Sequence, residues 1–294
     1  MLEMLLEPFA YGYMVKAVAV SAAVGGVCAF LSAYLMLKGW SLIGDALSHS
    51  VVPGVAVTYA LGLPYSAGAF VSGLLAALSV LWIRAVTHLK EDAVIGFIFT
   101  TFFAAGLFIV SVNPTSVNVQ EIVLGNILGI ADEDIFQIGI IMGVCLLFLL
   151  VSWKTLLLVF FDETQAAACG ISPLRYKILF FCLLSACVVA ALQTVGAVLV
   201  IAMVVTPGAT AYLLTDRFGK LLAIAVSLGT GCSAAGAYIS YFLDGATGGV
   251  IVCLQTACFI TAFLFAPKYG LFGRYRNRPE NTPSEKGGSH AALV

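Results

Sequence analysis

Long apolar runs separated by short polar segments form most of this chain of 294 residues. Each run has about the length that an α-helix needs to cross a bilayer, roughly 20 residues. A helix satisfies its own backbone hydrogen bonds in lipid, where irregular loops and open sheet edges do not. The pattern therefore predicts an all-α integral membrane protein, a polytopic bundle of eight or nine transmembrane helices. The predicted spans are residues 15–37, 46–62, 65–87, 93–112, 136–160, 176–194, 196–214, 219–241 and 247–266.

Two places leave the number of crossings open. The run at 46–62 is short and is interrupted by Pro53-Gly54. The runs at 176–194 and 196–214 form one continuous apolar stretch. A hairpin within that stretch gives nine crossings, whereas a single long or re-entrant element gives eight.

The amino-acid composition excludes a globular fold whose whole surface faces water. Apolar residues make up 61% of the chain, charged residues only 10%, and the mean hydropathy is +1.06, whereas soluble domains carry about 25% charged residues. The net charge of −1 does not indicate a nucleic-acid partner. The eight cysteines show no CxxC spacing and are predicted to pack between helices. Residues 1–276 are interpreted as a single transmembrane domain, and the polar tail 277–294 as a disordered cytoplasmic segment.

The distribution of basic residues predicts an orientation. With the N-terminus outside and nine crossings, all of the 14 Lys and Arg residues except Lys16 fall on the cytoplasmic side. An excess of Lys and Arg in cytoplasmic loops is the usual signature of membrane topology. The loop at 161–175 is therefore predicted to be cytoplasmic.

Asp45 and His49 form the one ionisable pair well inside an apolar run. Their i,i+4 spacing places both side chains on one face of a helix. A carboxylate with an imidazole suits Mn²⁺, Fe²⁺ or Zn²⁺, whereas Ca²⁺ and Mg²⁺ prefer oxygen ligands alone. Pro53 lacks an N–H, so the His49 carbonyl loses its helical donor and becomes a further candidate oxygen ligand. The alternatives are a structural ion pair or a helix cap at Asp45.

Two ligands do not complete a metal site. If the protein is a twofold dimer with this helix on the axis, two Asp and two His surround one ion. The dimer is therefore part of the metal-site hypothesis.

Two other stretches are candidates for a role in transport. The Pro207-Gly208 pair repeats the Pro53-Gly54 pair within another apolar span. Paired helix interruptions of this kind often lie on either side of the path through a transporter. A short helix ended by Gly170 and Pro173 is also predicted, and its small residues Ala166, Ala167, Ala168 and Gly170 suit close docking against another protein, although an ordinary loop has the same composition. No phosphate-binding motif of the G-x-x-x-x-G-K-[ST] form occurs, so the chain is not expected to be an enzyme, and any ATP chemistry requires a separate subunit.

Three segments resemble one known family. GWSLIGDALSHSVVPGVAVTYALG at 39–62 is similar to the signature of the metal-ion ABC transporter permeases that import manganese, iron or zinc. VAALQTVGAVLVIAMVVTPGATAYLLTDRF at 189–218 resembles the second signature of that family, and FDETQAAACGISP at 161–173 its cytoplasmic coupling segment. The similarity runs from about residue 14 to residue 270 and is greatest to the manganese/iron branch.

The resemblance implies an importer permease in the bacterial cytoplasmic (inner) membrane. It implies a homodimer, or a pair with a similar copy, that works with a cytoplasmic ATP-binding subunit and a periplasmic or lipid-anchored metal-binding protein. It places the metal-interacting residues at Asp45 and His49, and no permanently bound cofactor is expected. The residues that would couple transport to the ATPase are Phe161, Asp162, Glu163, Ala168, Gly170 and Pro173.

Three rival hypotheses remain at this stage. One keeps the permease but makes zinc the substrate, because Asp and His accept all three metals. Another is a proton-coupled secondary metal transporter in which Asp45 relays protons and no ATPase is needed. The third is a binding or scaffold membrane subunit that has no transport path.

Overall fold

The computed structural model describes residues 7–87, 89–112 and 132–266, and within these ranges the regular structure is entirely helical. The helices, in chain order, are α1 (Gly12–Lys38), α2 (Ile43–Ser50), α3 (Val52–Ala60), α4 (Tyr65–Val86), α5 (Glu91–Val112), α6 (Asp132–Phe161), α7 (Glu163–Ala168), α8 (Pro173–Val195), α9 (Ala197–Leu214), α10 (Phe218–Leu243) and α11 (Thr247–Phe265). The predicted all-α membrane class is confirmed. The tail at 277–294 lies outside the described residues.

Seven of the described helices are long and apolar enough to cross a membrane: α1, α4, α5, α6, α8, α10 and α11. A shorter apolar helix, Leu199–Leu214, lies within α9. The predicted span at 46–62 is divided into α2 and α3, each too short to cross a bilayer alone. Helix length by itself therefore yields seven spans rather than the predicted eight or nine.

Helix α1 lies at the centre of the bundle, and Tyr34 is its main anchor. The Tyr34 side chain is fully buried and its hydroxyl donates to the Trp153 carbonyl of α6 at 2.9 Å. Its ring packs against Phe180 of α8, with centroids 6.0 Å apart, and Phe218 of α10, at 4.9 Å. One tyrosine thus joins four helices near the end of α1.

Ion pairs gather at the same end of the bundle, which we call the charged end. Glu163 is paired with Lys38 at 3.1 Å and with Lys177 at 2.5 Å. Glu91 is paired with Arg84. The charged end is defined by Lys38, Arg84, Glu91, Glu163 and Lys177.

Helices α8 and α9 run in opposite directions. Phe180, near the start of α8, and Phe218, just beyond the end of α9, both contact Tyr34. The turn between the two helices is Gly196, whose φ of +79° lies in the left-handed region that favours glycine. The chain therefore leaves the charged end along α8 and returns to it along α9, as in the predicted hairpin.

Candidate metal site

The helix break falls at Val51, two residues before Pro53. Helix α2 ends at Ser50, and Pro53 occupies the first turn of α3, where a missing N–H costs nothing because first-turn donors have no helical partner. The Val51 N–H lies near the His49 carbonyl oxygen, but a contact from residue i to residue i−2 has poor hydrogen-bond geometry. The role of that oxygen as a further ligand stays a prediction.

Asp45 and His49 lie on the outward face of α2. Their closest side-chain atoms, His49 Nε2 and Asp45 Oδ1, are 3.3 Å apart, and the side chains are 33% (His49) and 43% (Asp45) exposed. The opposite face of the helix, with Ile43 and Leu47, is buried in the core. The i,i+4 pair predicted from the sequence thus forms, and it is open on the side away from the bundle.

One copy of the chain supplies an incomplete ligand set. Within the described residues, no group of three or more His, Cys, Asp or Glu side chains is close enough to hold a metal ion. All eight cysteines are free. An ion held by Asp45 and His49 must therefore take its remaining ligands from water, from backbone oxygen or from another chain.

Two phenylalanines of α5 pack against the His49 ring. The ring centroids of Phe99 and Phe103 are each 5.4 Å from that of His49, at interplanar angles of 67° and 74°. Neither residue stood out in the sequence, because phenylalanine in an apolar run is equally typical of a side chain that faces lipid.

Gly54 allows α3 to approach α4. A Cβ at Gly54 would overlap the carbonyl oxygen of Gly68, and a Cβ at Gly106 of α5 would lie 2.8 Å from Val52 Cγ1. Close packing through small residues is typical of helices in membranes. Helix α3 is thereby fixed between α4 and α5, directly beyond Asp45 and His49 along the chain.

Pro207 does not break a helix, contrary to the sequence interpretation. Helix α9 continues through it to Leu214. The Ser32 hydroxyl of α1 donates to the Val205 carbonyl at 3.2 Å and accepts from the Gly208 N–H at 3.0 Å. The predicted pair Pro207-Gly208 therefore packs against α1, whereas Pro53-Gly54 packs against α4 and α5.

A cavity of about 580 Å³ lies between α3, α4 and α5. Its polar lining includes Thr58 and Ser72, whose hydroxyls donate to the backbone carbonyls of Gly54 and Ser50 at 2.8 and 2.6 Å. Asp45 and His49 are not part of the lining. The cavity is apolar and does not extend the candidate metal site.

The predicted coupling segment forms a short capped helix, α7. Phe161, at the end of α6, is 76% exposed. The Asp162 side chain accepts from the backbone N–H groups of Thr164 and Gln165 at 2.9 and 3.0 Å, as an N-cap does.

The end of α7 is equally defined. The helix ends at Ala168, and Gly170 adopts a left-handed φ of +79°. The N–H of Ile171 donates to the Ala166 carbonyl at 3.0 Å, which completes a Schellman motif. Pro173 then occupies the first turn of α8. Ala167 and Ala168 are exposed, so small side chains cover the outer surface of α7.

Glu163 attaches α7 to the charged end. Burial alone would raise the pKa of Glu163, but hydrogen bonds and charges from Lys177 and Lys38 outweigh burial and lower that pKa. The carboxylate therefore stays ionised and holds α7 between α1 and α8.

Trp40 connects this end of the bundle to α2, the helix that carries Asp45 and His49. Its ring stacks on Phe181 at 5.3 Å and meets Phe160 edge-on at 5.5 Å. Its Nε1 donates to Glu91, and the Arg84 guanidinium lies 5.1 Å from its ring centroid. Trp40 lay inside the stretch that the sequence singled out, but only the structure shows its contacts with α4, α5, α6 and α8.

A bundle of apolar helices with one ionisable pair on a broken helix and a short capped helix at its charged end defines a multi-pass membrane permease. The chain belongs to the ABC 3 transport family, which matches residues 10–266.

Several relatives similar to this chain carry transport names. A "probable iron transport system membrane protein" of Haemophilus influenzae is 73% identical, over 96% of this chain and 100% of that protein. The "manganese transport system membrane protein MntB" of Synechocystis is 46% identical, over 96% and 92% of the two chains. The structure of "PsaBC from Streptococcus pneumoniae in complex with Fab" has a TM-score of 0.80 and 34% identity, and covers 92% of this chain and 98% of that one.

Proposed function

We propose that this chain is the permease subunit of an ABC importer that moves Mn²⁺ or Fe²⁺ into the cytoplasm. The carrying observation is the Asp45–His49 pair, with Nε2 and Oδ1 3.3 Å apart on an open helix face of an otherwise apolar bundle. The iron and manganese names of its relatives support the choice of metals.

The chemistry of the pair suits these ions. Imidazole binds borderline divalent metals, and carboxylate accommodates Mn²⁺ and Fe²⁺ well. Ionisable groups within a membrane are costly and generally mark a transport path. The exposure of both side chains lets an ion enter and leave without unfolding α2.

A second copy completes the site in this proposal. Because one chain contributes two ligands, an identical or similar chain facing α2 across a twofold axis doubles them to two Asp and two His. The face that pairs then carries Leu42, Asp45 and His49, which share one side of α2.

Nine passes account best for the arrangement of the helices. Helices α2 and α3 together carry the chain away from the charged end, and α4 returns to it at Arg84. Helices α8 and α9 likewise go out and back around Gly196. Adding these two passes, α2–α3 and α9, to the seven long helices gives nine, with the N-terminus outside and the charged end at the cytoplasmic face of the inner membrane.

The proposed partners follow from this orientation. The end of α6 and helix α7 lie at the cytoplasmic face and present Phe161 and small side chains to an ATP-binding subunit. A metal-binding protein delivers the ion at the opposite face.

Radiolabelled uptake tests the proposal. In a strain that lacks its own manganese and iron importers, the chain and its ATPase partner should support uptake of Mn²⁺ or Fe²⁺. Asp45→Ala and His49→Ala should each reduce uptake at least about 10-fold, as expected when a metal ligand is lost. Ser41→Ala, an exposed residue just before α2, is the matched control and should leave uptake unchanged.

Three outcomes would contradict the proposal. Uptake that survives both replacements would exclude the pair from the path. Uptake without an ATPase partner would favour a proton-coupled transporter. Selective uptake of Zn²⁺ would leave the permease in place but change its substrate.

A further inference from the structure

The orientation of the His49 ring has an unusual physical origin. A metal-binding histidine generally donates its second ring N–H to a carboxylate, carbonyl or water, which fixes the ring. Within residues 7–87, 89–112 and 132–266, the only polar side chain paired with this ring is Asp45, at Nε2. Since Asp45 is the other proposed ligand, it cannot also be the outer hydrogen-bond partner that fixes the orientation of the ring.

Aromatic packing holds the ring instead. Phe99 and Phe103 lie one turn apart on α5, and their rings are nearly parallel, with an interplanar angle of 9° and centroids 5.9 Å apart. The imidazole stands almost perpendicular to both, at 5.4 Å from each. Rotation of the imidazole about its side-chain bonds would drive it into one phenyl ring or the other, because edge-to-face pairs pack closely.

The pair also differs from other phenylalanines on the same helix. Phe97 and Phe108 are 62% and 69% exposed, whereas Phe99 and Phe103 are half-buried against α2. Of these four rings, two therefore pack against His49 and two face the surroundings of the bundle, and the fifth phenylalanine of α5, Phe102, lines the cavity between α3, α4 and α5.

We infer that Phe99 and Phe103 are positioning residues that orient His49 for the transported metal ion. They fix the plane of the imidazole by packing, so that Nε2 stays beside the Asp45 carboxylate. They also cover one side of the ring, so that the ion and its water ligands approach only from the open face. This inference rests on the proposed function and deepens it, because it identifies residues that set the affinity of the same site.

Metal affinity tests the inference. Phe99→Leu and Phe103→Leu keep an apolar side chain but remove the ring, and each should weaken Mn²⁺ binding roughly 10-fold, the lower end of the effect of losing an outer-shell partner. Binding is measured on the purified permease complex by the electron paramagnetic resonance signal of free Mn²⁺. In transport, the half-saturating Mn²⁺ concentration should rise by a similar factor while the maximal rate changes little.

Matched variants separate positioning from general packing. Phe97→Leu makes the same substitution on the same helix away from His49 and should leave affinity unchanged. Phe103→Tyr retains the ring and should keep affinity within about twofold of the parent, because the edge-to-face contact survives. Unchanged affinity in both Phe99→Leu and Phe103→Leu, or an equal loss in Phe97→Leu, would overturn the inference.

Failure of this inference is distinguishable from failure of the proposed function. If His49→Ala abolishes Mn²⁺ binding while the phenylalanine variants bind normally, His49 is a ligand and only its positioning is misassigned. If His49→Ala itself binds and transports normally, the proposed site is wrong, and the inference falls with it.

Discussion

At the scale of the residue, the local environment decides what each side chain can do. Asp45 and His49 keep an open face because α2 buries only Ile43, Leu47 and their neighbours. Phe99 and Phe103 cover one side of the imidazole. The result is a candidate metal-binding pair that is open on one side, beside a helix junction whose closest contact is made by glycine.

Gly54→Ala should destabilise the protein by about 1–3 kcal/mol, as overpacking generally does. The added methyl group would overlap the carbonyl oxygen of Gly68, and backbone cannot move aside as a flexible side chain can. Thermal unfolding of the purified protein in detergent measures the effect. Gly96→Ala on α5, where a Cβ meets nothing within 4 Å, is the control. Equal unfolding temperatures for the two variants would contradict the close approach of α3 and α4.

At the scale of the element, two caps define the ends of α7, and Glu163 attaches the helix to the bundle. Asp162 caps its first turn and Gly170 ends it, but neither contact joins the helix to the bundle. Glu163 makes that connection through Lys38 and Lys177. Lys38 ends α1, two residues before Trp40, so few residues separate the attachment of α7 from the beginning of α2.

The attachment of α7 should therefore depend on pH. Since the pKa of Glu163 is lowered in the folded protein, its contribution is complete above the pKa of an unfolded Glu, about 4.3. That contribution is lost as the pH falls through the lower, folded-state pKa. Hydrogen exchange of the α7 amides, corrected for the intrinsic pH dependence of exchange, should show protection falling in this acidic range.

Glu163→Gln provides the control for this pH effect. Its α7 amides should exchange faster at neutral pH and show no loss of protection on acidification. Asp244→Asn, which removes a carboxylate beyond the end of α10, should behave like the parent. Parent-like protection in Glu163→Gln would show that the ion pairs do not hold α7.

At the scale of the whole molecule, the incomplete ligand set is the strongest argument for a pair of chains. Two ligands on an outward helix face suit an axis of symmetry, where each contact occurs twice. The charged end then places both copies of α7 on one side, available to two ATP-binding subunits.

Cross-linking tests the pairing face. Leu42 is 44% exposed and lies on the same side of α2 as Asp45 and His49. Leu42→Cys treated with a short bis-maleimide in membranes should give covalent dimers, because the two copies of α2 approach within the reach of one metal ion. Val151→Cys, at a 76% exposed position on α6, should remain monomeric at the same reagent concentration, as should the parent with its native cysteines. Dimers from Val151→Cys but not from Leu42→Cys would place the axis elsewhere.

Much of the element pattern was predictable from the sequence. The apolar runs at 65–87 and 219–241 correspond closely to α4 and α10, because a span in lipid must be both helical and apolar. The i,i+4 relation of Asp45 and His49 was equally predictable, since it depends on helical geometry alone. Gly170 and Pro173 indicated the short helix α7, because glycine and proline end helices through local backbone geometry.

The sequence predicted helix breaks at both Pro53-Gly54 and Pro207-Gly208, but it could not predict that the first segment breaks, at Val51, while α9 continues through Pro207. Both segments contain Val-Pro-Gly or Thr-Pro-Gly within apolar sequence. The two segments differ in the residues that pack against them. Ser32 of α1 hydrogen-bonds to the backbone on either side of Pro207, whereas Gly68 and Gly106 leave room for α3 to pack closely. Local propensity is the same in the two cases, and tertiary packing decides between them.

The sequence by itself determined the membrane class, most of the helices and the identity of the ionisable pair, because hydropathy, helix length and i,i+4 spacing act within one segment. Only the tertiary structure decided that α8 and α9 fold back on each other, that Glu163 pairs with Lys38 and Lys177, and that two phenyl rings pack against His49. These contacts join residues up to 125 positions apart, and no local pattern specifies which face of one helix will meet which face of another.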